Sequence, residues 1–465
     1  MNRMLVPLFA LVLLSGCAVG PNYHRPVVHT PAQFRGADAP ATPESLADVK
    51  WFDLFEDDVL RRLVRASLEK NFDLRIAAAR VVQARAQLGS ARSAELPALD
   101  AAGEFVANRG SSTGSITFIP RGTNLDVSYT QAGFRLGWEL DIWGRLRRLT
   151  EAARADYLAS EEVRRGVVVT LVSDVTGTYF TLRELDLELE IANEARGVAE
   201  HNVRLTKIRR DGGVAAGLDV HQAEQFLYTA TAQIRSIERS LGITENALNL
   251  LMGEAPGEIP RGKPLERFTV PPTVPAGLPS SLLERRPDIR EAERRLVSAN
   301  ARIGAARAQF FPQISLTGLL GGQSRALSDL FTGPARSWNF TPVTTLPIFD
   351  AGRIRAGVRF AEGLEREALA GYEKAIQTAF REVSDALIDY RKTGEQRAQQ
   401  ELLVDALRES VRLSTLRYQG GLDSYLQVLD AERNLFQGEL TLARLRRQEL
   451  GAVVQLYKVL GGGWS

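Results

Sequence analysis

The chain of 465 residues has one cysteine and four histidines. So few thiols and imidazoles leave little for metal ligation or nucleophilic chemistry. His24, His29, His201 and His221 form no HExxH pair, and the chain has no Walker loop and no G-x-S-x-G elbow. Neither sign of charge dominates: 58 basic against 56 acidic residues leave a formal net charge of +2. No basic run is interleaved with aromatics, which sets nucleic acid aside as a partner. Neither catalysis nor a resident metal or cofactor is expected. Long hydrophobic runs are missing too. Beyond the N-terminus no stretch is apolar for the ~18 residues that a transmembrane helix needs. A mature chain that crosses a membrane must then do so with strands closed into a barrel.

The single cysteine sits in a telling place. In MNRMLVPLFALVLLSGCAVGPNYHRP, Arg3 gives a positive end, Leu5 to Leu14 form a short apolar core, and Ser15 and Gly16 lead to Cys17. This is the pattern of a secretory signal, here residues 1–16. LSGC resembles a bacterial lipobox, which implies that Cys17 is lipidated and becomes the first mature residue. Ala18 follows, where an aspartate would imply retention at the inner membrane, so the resemblance implies the outer membrane. The mature chain then has no free cysteine to pair.

The chain is written twice. DLRIAAARVVQARAQLGSARSAELPAL (73–99) matches DIREAERRLVSANARIGAARAQFFPQI (288–314), an offset of 215 residues. DIWGRLR (141–147) matches FDAGRIR (349–355), and RLTKIRRDGGVAAGLDVHQAE (204–224) matches RLSTLRYQGGLDSYLQVLDAE (412–432), both offset by 208. The first copy therefore holds an insertion, read as the Gly/Ser/Thr-rich loop 109–124. Each copy runs helix, two strands, long helix, Gly-Gly turn, long helix. The expected long helices cover 146–210, 218–252, 354–418 and 424–460. Without an internal proline the first is roughly 100 Å long. Leu402, Leu403, Ala406, Leu407 and Val411 show the apolar stripe of a coiled coil or bundle. The expected domains are an N-terminal segment 17–71, a first repeat 72–253, a Pro-rich linker 254–279, a second repeat 280–461 and a tail 462–465.

The stretch AGFRLGWELDI alternates with period two, from Ala132 to Ile142. Four strands are expected, over 97–108, 125–142, 312–322 and 336–349, the second changing phase near Thr130 as a bulge would. Each is long enough to span a membrane at a tilt. Four strands close no channel and eight leave only a filled barrel, so a water-lined pore needs three or more copies. Trp138, Trp143 and Trp338 suit the aromatic girdles of such a barrel.

GPNYHRP (20–26) after the lipobox, PIFDAGRIR (347–355) and RYQGGLDSYLQVLDAERNLF (417–436), with the duplicated plan, resemble the TolC-like outer-membrane factor family, in its lipid-anchored OprM and NodT branch. The resemblance implies a mixed α/β membrane protein: a homotrimer whose twelve strands form one barrel, continuous with a long coiled-coil α-barrel. It implies an equatorial belt from the N-terminal segment, the linker and the C-terminal end. It implies partners too: outer-membrane lipid, a periplasmic adaptor and an inner-membrane RND transporter, with this chain as the passive exit duct. Leu426, Asp430 and Arg433 match positions that narrow the family's periplasmic mouth, and Tyr418 matches a tyrosine tying inner to outer helices. Some relatives carry a second acidic ring where this chain has Gln427. The turns at Gly212, Gly213, Gly420 and Gly421 are the expected adaptor docking sites. Two other readings stay open on the residues: a duct for secreted protein, and a coiled-coil lipoprotein that forms no channel.

Overall fold

The computed structural model describes residues 18–37, 42, 44–49, 55–111, 125–270 and 274–462. The signal peptide, the lipidation expected at Cys17 and residues 463–465 lie outside them. The chain falls into two units, taken in turn: one of Val81–Ser160, Ala292–Tyr372 and the N-terminal segment to Pro26, the other of Val27–Arg80, Glu161–Glu291 and Glu373–Ser465. Along the chain the main elements are α1 (Asp58–Lys70), α2 (Phe72–Ser93), β1 (Ala98–Arg109), β2 (Asp126–Leu140), α3 (Arg145–Asp211), α4 (Gly217–Met252), α5 (Pro287–Ala308), β3 (Gln313–Ser324), β4 (Arg336–Thr345), α6 (Arg353–Gln419) and α7 (Tyr425–Val459). No described helix is long and apolar enough to cross a membrane.

The first unit holds one antiparallel sheet in the order β1-β2-β3-β4. Pro97 and Pro312 stand directly before β1 and β3, where each prevents the preceding helix from running on. Registers are unbroken: Ala98 faces Gly137 and Arg109 faces Asp126, Leu140 faces Ile314, and Gln313 faces Thr345. The bulge expected near Thr130 is therefore absent. Thr130 and Ser128 stay on the face of Ala132 and Phe134; what changes there is the chemistry of the face, not its phase. The fourth strand stops at Thr345, four residues before its expected end. Pro347 has no N–H to continue the ladder.

One face of the sheet is apolar. Ala101, Phe134, Leu320 and Trp338 form one cross-strand row on it, and Leu99, Leu136, Gly318 and Phe340 the next. The other face carries Asp100, Glu104, Gln131, Arg135, Thr317, Gln323, Asn339 and Thr341. Both faces are largely open to solvent in the single chain.

The strand-to-helix junctions answer why charges alternate into AGFRLGWELDI. Asp141 accepts from the backbone N–H of Leu146 (3.0 Å) and Arg147 (2.8 Å), capping the free donors of α3. Asp350 does the same for α6, accepting from Gly352 and Ile354, both at 2.9 Å. Those bonds hold the Asp350 carboxyl below the usual carboxylate range. Glu139 grips Arg145 in a two-pronged pair at 2.9 and 2.6 Å. Between strand and helix the backbone turns left-handed at Gly144 (φ 77°) and Gly352 (φ 88°), equivalent positions of the two repeats.

The segment after Cys17 is clamped at the first junction. Val19 N–H donates to the Trp143 carbonyl (3.0 Å), and Arg148 donates to the Val19 carbonyl (3.3 Å) and Asn22 Oδ1 (2.8 Å). A side-chain carbon on Gly20 would lie 2.4 Å from the Gly304 Cα, so the two glycines permit backbone-to-backbone approach. Tyr23 and Arg25 both donate to Glu293, at 3.1 Å.

The second unit is helical. Ala192, Ala199 and Val203 of α3, Phe226, Ile234 and Ile237 of α4, and Val428, Leu429, Phe436 and Leu440 of α7 share one apolar core. Two ion pairs join α3 to α7, Glu184–Arg447 and Glu188–Arg444, each at 2.8 Å. Elsewhere Asp57 caps α1 at Val59 (2.7 Å) and also accepts from Tyr179 Oη (3.2 Å) and the Lys263 N–H (2.8 Å). Phe180 packs edge-on against Phe55 and Phe268. Tyr457 donates to the Val49 carbonyl at 2.8 Å. The N-terminal segment, the linker and the last helix thus meet in this unit.

Candidate functional site

The site lies in the helical unit, at the turns α3–α4 and α6–α7 and on the first turns of α7. Both turns end their long helix in the same way. Gly213 donates to the Arg210 carbonyl and Val214 to that of Arg209, each at 2.9 Å; Gly421 donates to Tyr418 at 3.0 Å and Leu422 to Arg417 at 2.9 Å. This is a Schellman closure, and it needs the left-handed backbone of Gly213 (φ 78°) and Gly421 (φ 74°). Gly212 and Gly420 precede them and close a normal turn onto Ile208 and Leu416 at 3.0 Å.

The two tips differ in charge. At the second, Arg417 binds Asp423 at 2.5 Å, each group strengthening the other's charged form. At the first, Ala215 occupies the place of Asp423, and Arg209 instead lies over the ring of Tyr418, 4.5 Å from its centroid. Tyr418 is buried and packs on Tyr425 with ring centroids 5.5 Å apart. Burial pushes its hydroxyl above the usual phenol range, against the pull of Arg209. One ring thus contacts both α3 and α7.

On α7 the sequence separates two stripes. Tyr425, Val428, Leu429, Glu432 and Phe436 face inward, and Leu426, Gln427, Asp430, Arg433 and Asn434 face outward. Leu426, Asp430 and Arg433 therefore share one exposed face, at steps of four and three residues. Asp430 accepts from Asn434 Nδ2 at 3.2 Å, and among the described residues no ion pair joins it to Arg433. Trp138, Trp143 and Trp338 belong to the other unit. There the indole N–H of Trp138 goes to the Glu95 carbonyl (3.0 Å) and that of Trp143 to the Pro312 carbonyl (2.9 Å). Trp338 stays 77% exposed on the apolar face.

Two features of the site were missed from sequence. The first is a buried acid behind the outward stripe. Glu432 is 8% exposed, and both its oxygens accept from Asn202 Nδ2 of α3, at 2.7 and 2.9 Å. No cation pairs with it among the described residues. Burial raises its carboxyl above the usual range, the Asn202 bond opposing. The available signal was a charge at a core position of the α7 stripe. The second feature is apolar. Ile208, Val214 and Leu218 at the first tip and Leu416, Leu422 and Leu426 at the second are all exposed. They are pairwise equivalent at the repeat offset of 208, which sequence reading had already found.

The model of the family described as "Outer membrane efflux protein" matches residues 63–254 and 278–462, one stretch for each repeat. The chain belongs to the outer membrane efflux protein family. It is 40% identical to the solvent efflux pump outer membrane protein SrpC of Pseudomonas putida, over 99% of this chain and 98% of the relative. Among solved structures it superposes with TM-score 0.89 and 36% identity on a membrane protein from Pseudomonas aeruginosa, covering 96% of this chain and all of that one. The open-state MtrE outer membrane channel of Neisseria gonorrhoeae gives TM-score 0.85 and 32% identity, over 97% and 99% of the two chains. This chain is accordingly an outer-membrane efflux channel protein, with the TolC-like fold of a four-stranded sheet and paired long helices.

Proposed function

We propose that three copies of the chain form one exit duct of a tripartite, RND-driven pump, through which small molecules leave passively. The observation that supports this is the sheet. β1 and β4 are its edges, each with one partner, and they run in opposite directions. β4 of one copy can therefore pair antiparallel with β1 of the next, and three copies close twelve strands with no edge left. The polar face then lines water and the apolar face meets lipid. Cys17 carries the lipid anchor in this reading, and the clamp on Val19 and Asn22 supports an anchor fixed beside the strand-to-helix junction.

In such a trimer the outward stripe of α7 lines the periplasmic mouth. Three Leu426 side chains narrow it. Three Asp430 carboxylates near one axis repel one another, and three Arg433 guanidiniums offset that and can bridge to a neighbouring copy. Gln427 is uncharged, so one acidic ring stands there and not two. The equivalent apolar pairs at the two tips, Ile208 and Val214 against Leu416 and Leu422, would meet a helical hairpin of the adaptor, around the backbone exposed at Gly212, Gly213, Gly420 and Gly421. The test is conductance of the purified protein in planar lipid bilayers. Discrete ion-conducting events support the duct; a protein that inserts and never conducts under any voltage or salt refutes it.

A further inference from the structure

The apolar face of the sheet is not flat. The loop from β3 to β4 folds back over it, and Leu330 is buried there, 4% exposed. Its carbonyl oxygen lies 2.1 Å from where a side-chain carbon on Gly322 would stand, so glycine lets the loop lie directly on the strand. Between loop and strands runs a groove of about 830 Å³. Its floor is small, with Ala101, Gly103 and Ala132, and its walls are Phe134, Leu320 and Trp338. Phe331, 87% exposed, stands at the outer side. Arg336, the first residue of β4, stands at one end of the groove. No ion pair occupies its guanidinium among the described residues.

We propose that this groove holds one acyl chain of a membrane lipid whose anionic phosphate headgroup is bound by Arg336. The inference rests on reading the apolar face as the lipid-facing side of a barrel. Three observations select this occupant. The volume falls in the range of small-molecule sites. The lining is apolar along its length with one cation at the end, which matches a hydrocarbon tail with a charged head. A second copy of the chain is drawn instead to the open edges of β1 and β4, whose backbone groups need partners, and not to this face.

Gly103 offers a clean test, because a side-chain carbon added there meets no atom within 4 Å. Gly103→Leu adds bulk at the floor from a position whose Cβ is unobstructed. The full-length protein is extracted, delipidated in mild detergent and titrated with dimyristoyl phosphatidylglycerol or dimyristoyl phosphatidylcholine, and bound lipid is counted by native mass spectrometry. The wild type retains one phosphatidylglycerol per chain about tenfold more tightly than phosphatidylcholine, whose choline cation offsets the phosphate charge that Arg336 meets and is itself repelled by the guanidinium. Arg336→Gln removes that preference and keeps the weaker binding. Gly103→Leu lowers retention of both lipids about tenfold. Equal retention of the two lipids by the wild type, or full retention by Gly103→Leu, overturns the proposal. The same spectra give the oligomer, and bilayer conductance is recorded in parallel. A conducting trimer without lipid preference ends the groove proposal alone; a protein that neither assembles nor conducts ends the barrel reading beneath it.

Discussion

Removing the Asn202 side chain strips a buried acid of its donor. In Asn202→Ala the carboxylate of Glu432, a residue 8% exposed in the wild type, loses both bonds from Nδ2, at 2.7 and 2.9 Å. A hydrogen bond to a charged group contributes about 1.5–3 kcal/mol, and orphaning its buried partner costs at least as much. Protonation of Glu432 caps that loss, since burial already favours the neutral acid. A net loss of about 1.5–3 kcal/mol is roughly a 10- to 100-fold change in an equilibrium constant. If opening the mouth moves α7 away from α3, the contact exists only in the closed state, and the variant shifts toward open by that factor. Open probability in planar bilayers reads this directly. Asn202→Leu with Glu432→Leu replaces both polar partners by apolar ones and returns the channel toward wild-type closure. The reasoning is refuted if Asn202→Ala gates and melts like wild type, or if the double variant stays as open as the single one.

Asp430→Ala removes the acidic ring proposed at the mouth, and single-channel conductance should rise; an unchanged value would argue against that ring. Gly421→Val places a β-branched residue at φ 74° and costs on the order of 1–2 kcal/mol or more, visible as a lower melting temperature. Gly20→Ala drives a carbon into the Gly304 backbone, and limited proteolysis should then cut near Tyr23, where wild type resists. For pH the sign follows from Glu432, whose carboxyl is raised in the packed state. The packed state binds the proton more tightly, so its stability is full below the ordinary carboxylate range and falls as pH rises through the raised value. Measured in an Asp430→Asn background, open probability should increase with pH over that window, and adding Glu432→Gln should flatten it.

Much of this architecture was legible because the chain states it twice. The repeat offset of 208 places the ends of α6 on those of α3, Arg353 on Arg145 and Gln419 on Asp211. Glycines at Gly144, Gly213, Gly352 and Gly421 mark where the backbone must turn left-handed, and such positions are readable one residue at a time. The strands were harder. Pro342 sits within β4 opposite Leu316, where the ladder to β3 stays unbroken, whereas Pro347 lies beyond its end, and composition alone does not separate the two. The polar Thr130 and Ser128 on an otherwise apolar face imitate a phase change that the ladder does not make.

The site was legible only in part, for a different reason. Leu426, Asp430 and Arg433 lie on one helix, so periodicity alone puts them on one face. Asn202 and Glu432 are 230 residues apart in sequence, and no local pattern joins them. Glu139 and Asp141 fall on the charged positions of the alternating stretch AGFRLGWELDI, and they hold Arg145 and the N-terminus of α3. Short-range periodicity reports which way a side chain points and is silent about what it meets there.

The central claim is that the two open edges of the sheet are closed by a ring of three copies. The mass of the detergent-extracted mature protein, from light scattering corrected for bound detergent, tests it most directly. A particle of three chains is the predicted result. A monomer that stays dispersed without detergent once the N-terminal cysteine is removed would contradict it, and β1 and β4 would then be edges that no second copy needs to close.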